Sequence, residues 1–413
     1  MKRFFSALKQ FFIALLYLAL VLLIVELLLY FTTPVYDFAR PQPFSGHRLY
    51  NPYAGMDSSA WRKCNFHFHN RAWGGMTAGR HNSYREFYRI YKSLGYDAPE
   101  ISNYQQIDKH FSDSSFYIPC YEHGFGVRKK HQLLIGAREV LWLDYSLYQN
   151  LNNKQHILDL LHSRSDLVAI AHPDWEHGYT AEDLKYLSRY DLMEVLDQNW
   201  RSVPLWDAAL SAGHPAFIVA DDDSHDVESP MHSGVCCTFV NSGVISRDSL
   251  EKALKEGKAF GADIYVGNGE TMERKAEKAK HLPVLESVTL RGDTLRIRTG
   301  QKALKFTFIG QNGRIRKLVR FTDEAWYVVR PEDPYIRTEI RFYNEYRGPG
   351  TTYYLNPVIR YNGDKPASAE EPEINWVRTW IFRLFSIPSL FVLIGLVWYY
   401  RRRKAAVKPQ QHE

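Results

Sequence analysis

The chain has 413 residues, of which 45% are hydrophobic and 15% aromatic, and its formal net charge is +6. This length and apolar content allow a sizeable core and more than one domain. Much of the positive charge flanks two apolar segments, and there is no aromatic-basic RNA-binding motif. The charge therefore gives little reason to expect a nucleic-acid partner.

The first apolar segment, residues 11–31, is long enough to cross a bilayer and is preceded by basic residues. A cleaved secretory signal is the alternative interpretation. The bulky sequence Tyr30-Phe-Thr-Thr-Pro34 contains no small-residue cleavage pattern, however. We expect an uncleaved transmembrane anchor over residues 1–33 and a linker over residues 34–60.

A second apolar segment, residues 376–400, precedes a basic tail, residues 401–413. Arg378 and Arg383 would extend toward the outer interface. Because basic residues lie at the outer ends of both apolar segments, the positive-inside rule predicts that both termini are cytoplasmic. The residues between them would then be extracytoplasmic, in the periplasm or at the cell surface.

Predicted strands and helices alternate over residues 61–265. We predict helices over residues 83–94, 155–162, 181–188 and 205–212, and strands over residues 64–70, 115–121, 131–136, 167–171, 192–196 and 216–220. This alternation favours an α/β barrel, whose active site lies at the carboxyl ends of the strands. Residues 266–282 form a charged connector, and period-two alternation over residues 283–366 predicts a small antiparallel β-sandwich.

The chain has four cysteines, at positions Cys64, Cys120, Cys236 and Cys237. They form no CxxC pair, which argues against a zinc ribbon. An extracytoplasmic domain permits a disulfide, and buried thiols within apolar strands are the alternative. The sequence leaves both possibilities open.

His67 and His69 alternate with apolar residues in the sequence Cys64-Asn-Phe-His-Phe-His-Asn70. Side chains two apart on a strand lie on the same face, so both imidazoles would converge on one point. This geometry suits a metal site. Taken alone, a His-x-His sequence is as readily explained by two histidines on an ordinary strand.

Further candidate ligands follow other predicted strands. The full set is His67, His69, Glu122, His131, His172, Asp223 and His225. Each one alone has an ordinary explanation, such as a surface carboxylate or a histidine that ends a strand. Together, at the ends of successive strands, they favour a metal site, and imidazole with carboxylate suits zinc, manganese or iron.

These residues resemble the polymerase and histidinol phosphatase (PHP) superfamily of metal-dependent phosphoesterases over about residues 60–262. The matching sequences are His67-Phe-His69, Glu122 before the strand His131-Gln-Leu-Leu-Ile-Gly136, Ala171-His172-Pro173 and Asp223-Ser-His225. The resemblance implies a distorted (β/α)7 barrel with two or three metal ions at one end, which hydrolyses phosphate esters.

The resemblance also implies roles for the individual residues. One ion would be held by His67, His69, Glu122 and Asp223, and Glu122 would bridge to a second ion held by His131 and His172. His225 would belong to a third site or contact the substrate. Asp223 and His225 would thus act in catalysis as well.

The chain departs from the family pattern at two positions. Ala78, in Thr77-Ala78-Gly79, stands where the family usually has the aspartate of Ser-Asp-Gly, and Tyr104, in Ser102-Asn103-Tyr104, where it has the histidine of Thr-Asp-His. We therefore expect two ions rather than three. His81 could substitute as a ligand, although a solvated surface histidine is the preferred interpretation.

Two further stretches bear on the substrate. Arg128, which begins the sequence Arg-Lys-Lys before His131, could bind an anionic phosphate, and an exposed loop without this role is the alternative. Residues 348–358 are similar to the β tail of extracytoplasmic PHP proteins grouped with carbaryl hydrolase, in which Asn-Pro-Ile closes the chain. That similarity leaves hydrolysis of carbamates or other carboxylic derivatives open.

We therefore expect a membrane-anchored, extracytoplasmic hydrolase of phosphomonoesters or phosphodiesters, in which a hydroxide held by the metal ions attacks phosphorus. The substrate would be a small molecule or a lipid or other envelope phosphoester. A carbamate hydrolase on the same site is one alternative. A non-catalytic envelope binding protein with a degenerate PHP barrel is another.

Overall fold

The structure is a computed structural model that describes residues 2–71, 73, 82–344, 346–363, 366 and 370–406. The described residues fall into two compact units. The terminal unit comprises residues 2–38, 145–156 and 372–406, and the core unit comprises the described residues of 39–144 and 157–371.

Helices and strands alternate through the first part of the core unit, and strands predominate in the last part. The helices are α1 (Lys2–Thr32), α2 (Tyr84–Ser93), α3 (Leu151–His162), α4 (Ala181–Tyr186), α5 (Val203–Ser211), α6 (Arg247–Lys255), α7 (Met272–Ala279) and α8 (Trp376–Ala406). The strands are β1 (Tyr36–Asp37), β2 (Arg48–Tyr50), β3 (Trp61–Asn65), β4 (Ala98–Pro99), β5 (Cys120–His123), β6 (Gln132–Ile135), β7 (Leu167–Ile170), β8 (Leu192–Leu196), β9 (Phe217–Ala220), β10 (Cys236–Asn241), β11 (Ala259–Asp263), β12 (Leu285–Arg291), β13 (Thr294–Gly310), β14 (Arg314–Val328), β15 (Tyr335–Tyr343), β16 (Pro349–Tyr361) and β17 (Glu373–Ile374).

Helix α2 illustrates how the sequence determines a local element. Ser83 caps its first turn by accepting a hydrogen bond from Glu86 N, and the Glu86 side chain accepts one from Ser83 N. The apolar residues Phe87, Ile90 and Tyr91 recur at helical spacing and are all buried. The predicted helix over residues 83–94 is therefore confirmed.

The first sheet of the core unit has the strand order β5-β6-β7-β8-β9. The pairs β5–β6 and β6–β7 are antiparallel, whereas β7–β8 and β8–β9 are parallel. Every residue of these strands is buried, which explains their nearly continuous apolar sequence. The parallel strands place their carboxyl ends at one edge of the sheet.

Single-residue bridges link this sheet to the strand pair β3–β4. Phe68, just after β3, pairs with Ser224, just after β9, and Tyr104, after β4, pairs with Glu122 on β5. The mixed α/β class is confirmed. The closed (β/α)7 barrel stays a prediction, and these two bridges are the contacts at which seven strands, β3 to β9, would close.

The second sheet has the strand order β12-β13-β15-β16-β11-β10-β3-β4, with β14 paired to β13 and β2 paired to β16. The strands after residue 283 are antiparallel, as the alternation predicts. The predicted β-sandwich stays a prediction, and its strands are hydrogen-bonded to the α/β part, because β16 pairs directly with β11 at Phe260–Leu355. One sheet thus runs from the C-terminal strands into the strand that precedes His67.

The charged segment predicted as a connector contains helix α7. Thr271 caps it by accepting from Arg274 N. Lys275 is buried, and its ammonium donates to the carbonyl oxygens of Pro230 and Ser233. The helix therefore packs on the loop that follows β9.

Two helices of the terminal unit, Arg3–Thr32 and Trp376–Arg403, are long and apolar enough to cross a membrane by length and composition. The polar groups near them have partners: Glu26 accepts from the backbone and hydroxyl of Ser146, each at 2.8 Å. Arg378 pairs with Asp37 at 2.9 Å, and Arg383 donates to Thr32 O at 2.5 Å. Both arginines thus have a polar partner within the unit.

The four cysteines are free and buried. Burial raises the pKa of each thiol, so all four are protonated at neutral pH. Of the two possibilities left by the sequence, the structure shows buried thiols that pack as small apolar side chains.

Candidate metal centre

The two histidines of the His-x-His sequence lie just beyond the end of β3 rather than within the predicted strand. The segment stays extended there, because Phe68 pairs with Ser224 and His69 N donates to Ser224 O. Phe68 packs against Phe87 on α2, with ring centroids 4.0 Å apart. His67 and His69 are buried, and their ring centroids lie 5.3 Å apart.

The two oxygens of the Glu122 carboxylate face different histidines. Oε1 lies 2.5 Å from Nδ1 of His131 and 3.0 Å from Nε2 of His172. Oε2 lies 3.0 Å from Nε2 of His69 and 3.3 Å from Nε2 of His67. A carboxylate placed between two sets of imidazoles in this way can bridge two cations.

Asp223 completes the first of these sets. Its Oδ1 lies 3.3 Å from Nε2 of His67 and 3.2 Å from Nε2 of His69. Its backbone nitrogen donates to His67 O at 3.0 Å, which fixes the end of β9 against the end of β3. His225 follows, with its ring stacked on that of His69 at 4.4 Å.

Glu194, on β8, is a site residue that the sequence reasoning did not identify. Its Oε1 lies 2.9 Å from Nδ1 of His67, and its Oε2 accepts from His172 N at 2.8 Å. The sequence contains a feature that could have identified it, a carboxylate in the middle of the otherwise apolar strand Leu-Met-Glu-Val-Leu. A fully buried charge of this kind requires partners. Glu194 orients His67 so that Nε2 faces Asp223 and Glu122.

Three overlapping groups of side chains could each hold a metal ion, because one ligand atom from every member lies within 4.8 Å of the others. The groups are His67–His69–Glu122–Asp223, Glu122–His131–His172 and His67–His172–Glu194. All members are buried. The structure thus brings six of the seven predicted ligands together and adds Glu194, while His225 lies beside them.

Several polar atoms at the centre of this cluster have no hydrogen-bond partner among the described residues, although they are buried. They are Nε2 of His67, both ring nitrogens of His69, Oε2 of Glu122, Nδ1 of His172 and Oδ1 of Asp223. Buried polar groups are normally paired. Atoms that converge without pairing, and that belong to imidazoles and carboxylates, fit divalent metal ions.

The backbone is strained at two of these residues. His172 has a φ of 25° and Asp223 a φ of 45°. Both angles are positive, and residues other than glycine rarely adopt a positive φ. The cost of such a conformation is about 1–3 kcal/mol, and strain of this kind clusters at functional sites. The strain turns both side chains inward from the ends of β7 and β9.

The charges of the cluster compensate one another. Burial alone would raise the pKa of Glu122, but the charges of His131 and His67 hold it well below its usual range. Burial likewise opposes the ionisation of His172, yet its hydrogen bond to Glu122 and the charge of that carboxylate raise its pKa to about 9. Burial and the charge of His69 lower the pKa of His225 to about 4.

Tyr104 packs against the cluster at the position where the family resemblance places a histidine. Its ring stacks on His69 with centroids 4.3 Å apart, and burial and the charge of Glu122 raise the pKa of its hydroxyl. Asn103 holds the neighbouring segment, since Nδ2 donates to Asn70 Oδ1 at 2.6 Å. Ala78 and His81 lie outside the described residues.

Arg128 is exposed, and its predicted role in binding substrate stays a prediction. The side chain of its neighbour Lys129 contacts an aromatic ring that packs against a candidate metal ligand, His172. The Lys129 ammonium is 4.9 Å from the centre of the Trp175 ring, which in turn lies 4.9 Å, edge to face, from the ring of His172.

These observations define an α/β protein with a buried histidine–carboxylate cluster that could hold divalent metal ions. No family model and no curated protein matches the chain. A similar solved structure is that of a two-domain protein containing a predicted PHP-like metal-dependent phosphoesterase from Bacteroides vulgatus. The identity is 14%, the TM-score is 0.36, and the alignment covers 80% of this chain and 93% of the other.

Proposed function

We propose that this protein is a membrane-anchored, metal-dependent hydrolase of phosphate esters with two divalent transition-metal ions, zinc, manganese or iron. The observation that carries this proposal is the Glu122 carboxylate, whose two oxygens face two separate sets of buried imidazoles. A carboxylate in this position could bridge two cations, and a pair of cations can stabilise both the attacking and the leaving oxygen in hydrolysis. We further propose that strands β3 to β9 form a (β/α)7 barrel around it.

The membrane part of the proposal is supported by the two apolar helices and by the basic residues at their outer ends. Both termini would be cytoplasmic, and the core unit would be extracytoplasmic. In that arrangement the hydrolase acts on substrates outside the cytoplasm.

The candidate ligands form two groups, one for each proposed ion. His67, His69, Glu122 and Asp223 would hold one ion, and Glu122, His131 and His172 would hold the second. When bound, such ions supply Lewis acidity and lower the pKa of water. Their charge is matched by carboxylates that are ionised in spite of burial.

The other residues orient the ligands and the substrate. Glu194 fixes the ring of His67 through Nδ1. The Nδ1 atom of His225 faces Asp223 O at 2.9 Å, so its Nε2 is the atom that can contact a phosphate oxygen. In the net reaction the oxygen of water forms a new bond to phosphorus, the ester P–O bond breaks, and a proton from water ends on the released alcohol.

Replacing one ligand tests this function directly. His172→Ala removes a ligand of the second ion, and we expect it to abolish metal-dependent turnover of an aryl phosphate ester and to lower the bound metal from about two ions per chain. The measurements are turnover after supplementation with zinc, manganese or iron, and elemental analysis of the purified full-length chain. Phosphomonoesters, phosphodiesters and carbamates belong in the same panel.

His214 supplies a matched control, because it is a buried histidine that hydrogen-bonds Lys185 O instead of facing the cluster. His214→Ala should retain metal content and turnover. A wild-type chain that binds no metal would refute the enzyme and favour a binding protein, and turnover of carbamates alone would refute the phosphoesterase.

A further inference from the structure

Exposed apolar side chains lie close to the metal cluster in the core unit. Trp142 is 61% exposed, Phe125 52%, Val127 70% and Trp73 44%. We call these four residues the apolar rim. Exposed apolar patches that contain large aromatic side chains often mark a site that binds a ligand, a protein or a membrane.

A short series of contacts connects the two tryptophans of the rim to a predicted metal ligand. The rings of Trp142 and Trp73 lie 5.9 Å apart, edge to face. The indole of Trp73 donates to Tyr104 O at 2.9 Å, and the ring of Tyr104 stacks on that of His69. One residue, Tyr104, therefore lies between Trp73 and His69, and two residues, Trp73 and Tyr104, lie between Trp142 and His69.

The other half of the rim belongs to the loop that follows Glu122. Phe125 N donates to Asp144 Oδ2 at 2.9 Å, which ties this loop to the segment that carries Trp142. The same loop continues to Lys129, whose ammonium lies over the Trp175 ring beside His172. A cation and an apolar surface thus flank the same cluster.

We propose that the substrate is a lipid phosphoester in a bilayer, whose acyl chains contact the apolar rim while its phosphate lies between Lys129 and the metal cluster. This inference rests on the proposed phosphoesterase function. Tryptophan beside basic residues is characteristic of the bilayer interface, where the indole lies at headgroup level and cations attract anionic lipids. In the sequence, one apolar helix long enough to span a membrane precedes the core unit, and another follows it.

Two substrates that differ only in chain length test the inference. Methyl 4-nitrophenyl phosphate and hexadecyl 4-nitrophenyl phosphate have the same scissile bond and leaving group. Glycerol 3-phosphate and lysophosphatidic acid are the equivalent pair if only monoesters are cleaved. The full-length protein in detergent–lipid micelles should favour the long-chain member through a lower KM.

The variant Phe125→Ser/Val127→Ser should raise KM for the long-chain substrate about tenfold or more, because two apolar side chains no longer contact the acyl chain. We expect kcat, and both constants for the short-chain substrate, to change less than about twofold. The variant Trp142→Ser should act in the same direction.

Phe321→Ser is the matched control, since Phe321 is 62% exposed on β14, which contributes no residue to the cluster. It should leave both substrates unaffected. Equal effects of the rim variants on both substrates, or no effect on either, would overturn the lipid inference while leaving the phosphoesterase intact. If the wild-type protein hydrolyses neither the short-chain nor the long-chain substrate, the proposed function itself is refuted.

Discussion

The contacts of Glu194 with the candidate ligands are visible in the structure but could not be read from the sequence. The apolar pattern over residues 192–196 predicts a buried strand, and that prediction is confirmed. The pattern says nothing about which distant side chain a buried carboxylate contacts, because β8 and His67 are more than a hundred residues apart. The ligand candidates themselves could be predicted, since each one lies within or next to a predicted strand and carries a metal-binding group.

Neutralising Glu194 should weaken metal binding without unfolding the protein. Glu194→Gln keeps the shape of the side chain but removes the charge that orients His67 and supports the cations. We expect the metal Kd to rise about 10- to 100-fold. Competition with a chelator of known affinity measures this change.

Glu100 gives a control of the same type. It is also buried, but its Oε1 accepts from Ile118 N, and burial raises its pKa so that the carboxyl is neutral. Glu100→Gln should therefore leave the metal Kd unchanged. An unchanged Kd in Glu194→Gln would show that His67 keeps its orientation without this carboxylate.

At the scale of elements, helix α5 is fixed to strand β15 by a buried ion pair. Arg337 is 2% exposed, and its guanidinium donates to both oxygens of Asp207 at 2.7 and 2.8 Å. Arg337→Met removes the only cation that the structure pairs with Asp207 among the described residues and leaves the Tyr335 hydroxyl, at 3.3 Å, as a donor. We expect a loss of about 3–5 kcal/mol in the free energy of unfolding. Chemical denaturation measures this loss.

The exposed pair Arg296–Glu324, on neighbouring strands β13 and β14, is the comparison. Arg296→Met should cost no more than about 1 kcal/mol, because water screens that pair. Similar losses for the two variants would mean that α5 and β15 do not depend on their ion pair. The pairing of these two elements lies outside what local sequence patterns can predict, since Asp207 and Arg337 are 130 residues apart in the chain.

Helix α7 makes stability depend on pH through Lys275. Burial lowers the pKa of Lys275 to about 8 from 10.5. The unfolded chain therefore binds more protons than the folded chain between these values, so the free energy of unfolding should rise with pH above about 8. The contribution of this one group has a slope of up to about 1.4 kcal/mol per pH unit.

The variant Lys275→Met isolates that contribution, because it removes the titrating group. The difference in unfolding free energy between the wild type and this variant should shift in favour of the wild type as the pH rises from 7.5 to 9.5, values that bracket the pKa of about 8. A difference that does not depend on pH would contradict the lowered pKa.

At the scale of the whole molecule, the C-terminal strands complete the sheet that supports the metal cluster. Strand β16 pairs with β11, and β10 joins β11 to β3, which leads into His67. Asn356 strengthens this junction: its Oδ1 accepts from Ile218 N, and its Nδ2 donates to the carbonyl oxygens of Gly257 and Ala259. The alternation of residues predicts these strands but not their pairing with β11, because sheet partners are set by distant contacts.

Removing the C-terminal strands should therefore abolish the metal site even though no predicted ligand is deleted. A chain that omits residues 284–371 and keeps both apolar helices exposes the edge of β11 and the buried ring of Phe260. Unpaired strand edges and exposed aromatic side chains favour aggregation. We expect this chain to aggregate or to bind no metal, as measured by gel filtration in detergent and by elemental analysis.

The variant Asn356→Leu tests the same junction without deleting a strand. It removes the Asn356 side-chain partner of Ile218 N and of the Gly257 carbonyl in a buried position, whereas the Ala259 carbonyl still accepts from the Tyr53 hydroxyl. The free energy of unfolding should fall by about 1–3 kcal/mol for each group that loses its partner. A monodisperse deletion chain with about two metal ions would show that the α/β region folds independently. That result would support the division into a barrel and a separate β domain that the sequence predicts.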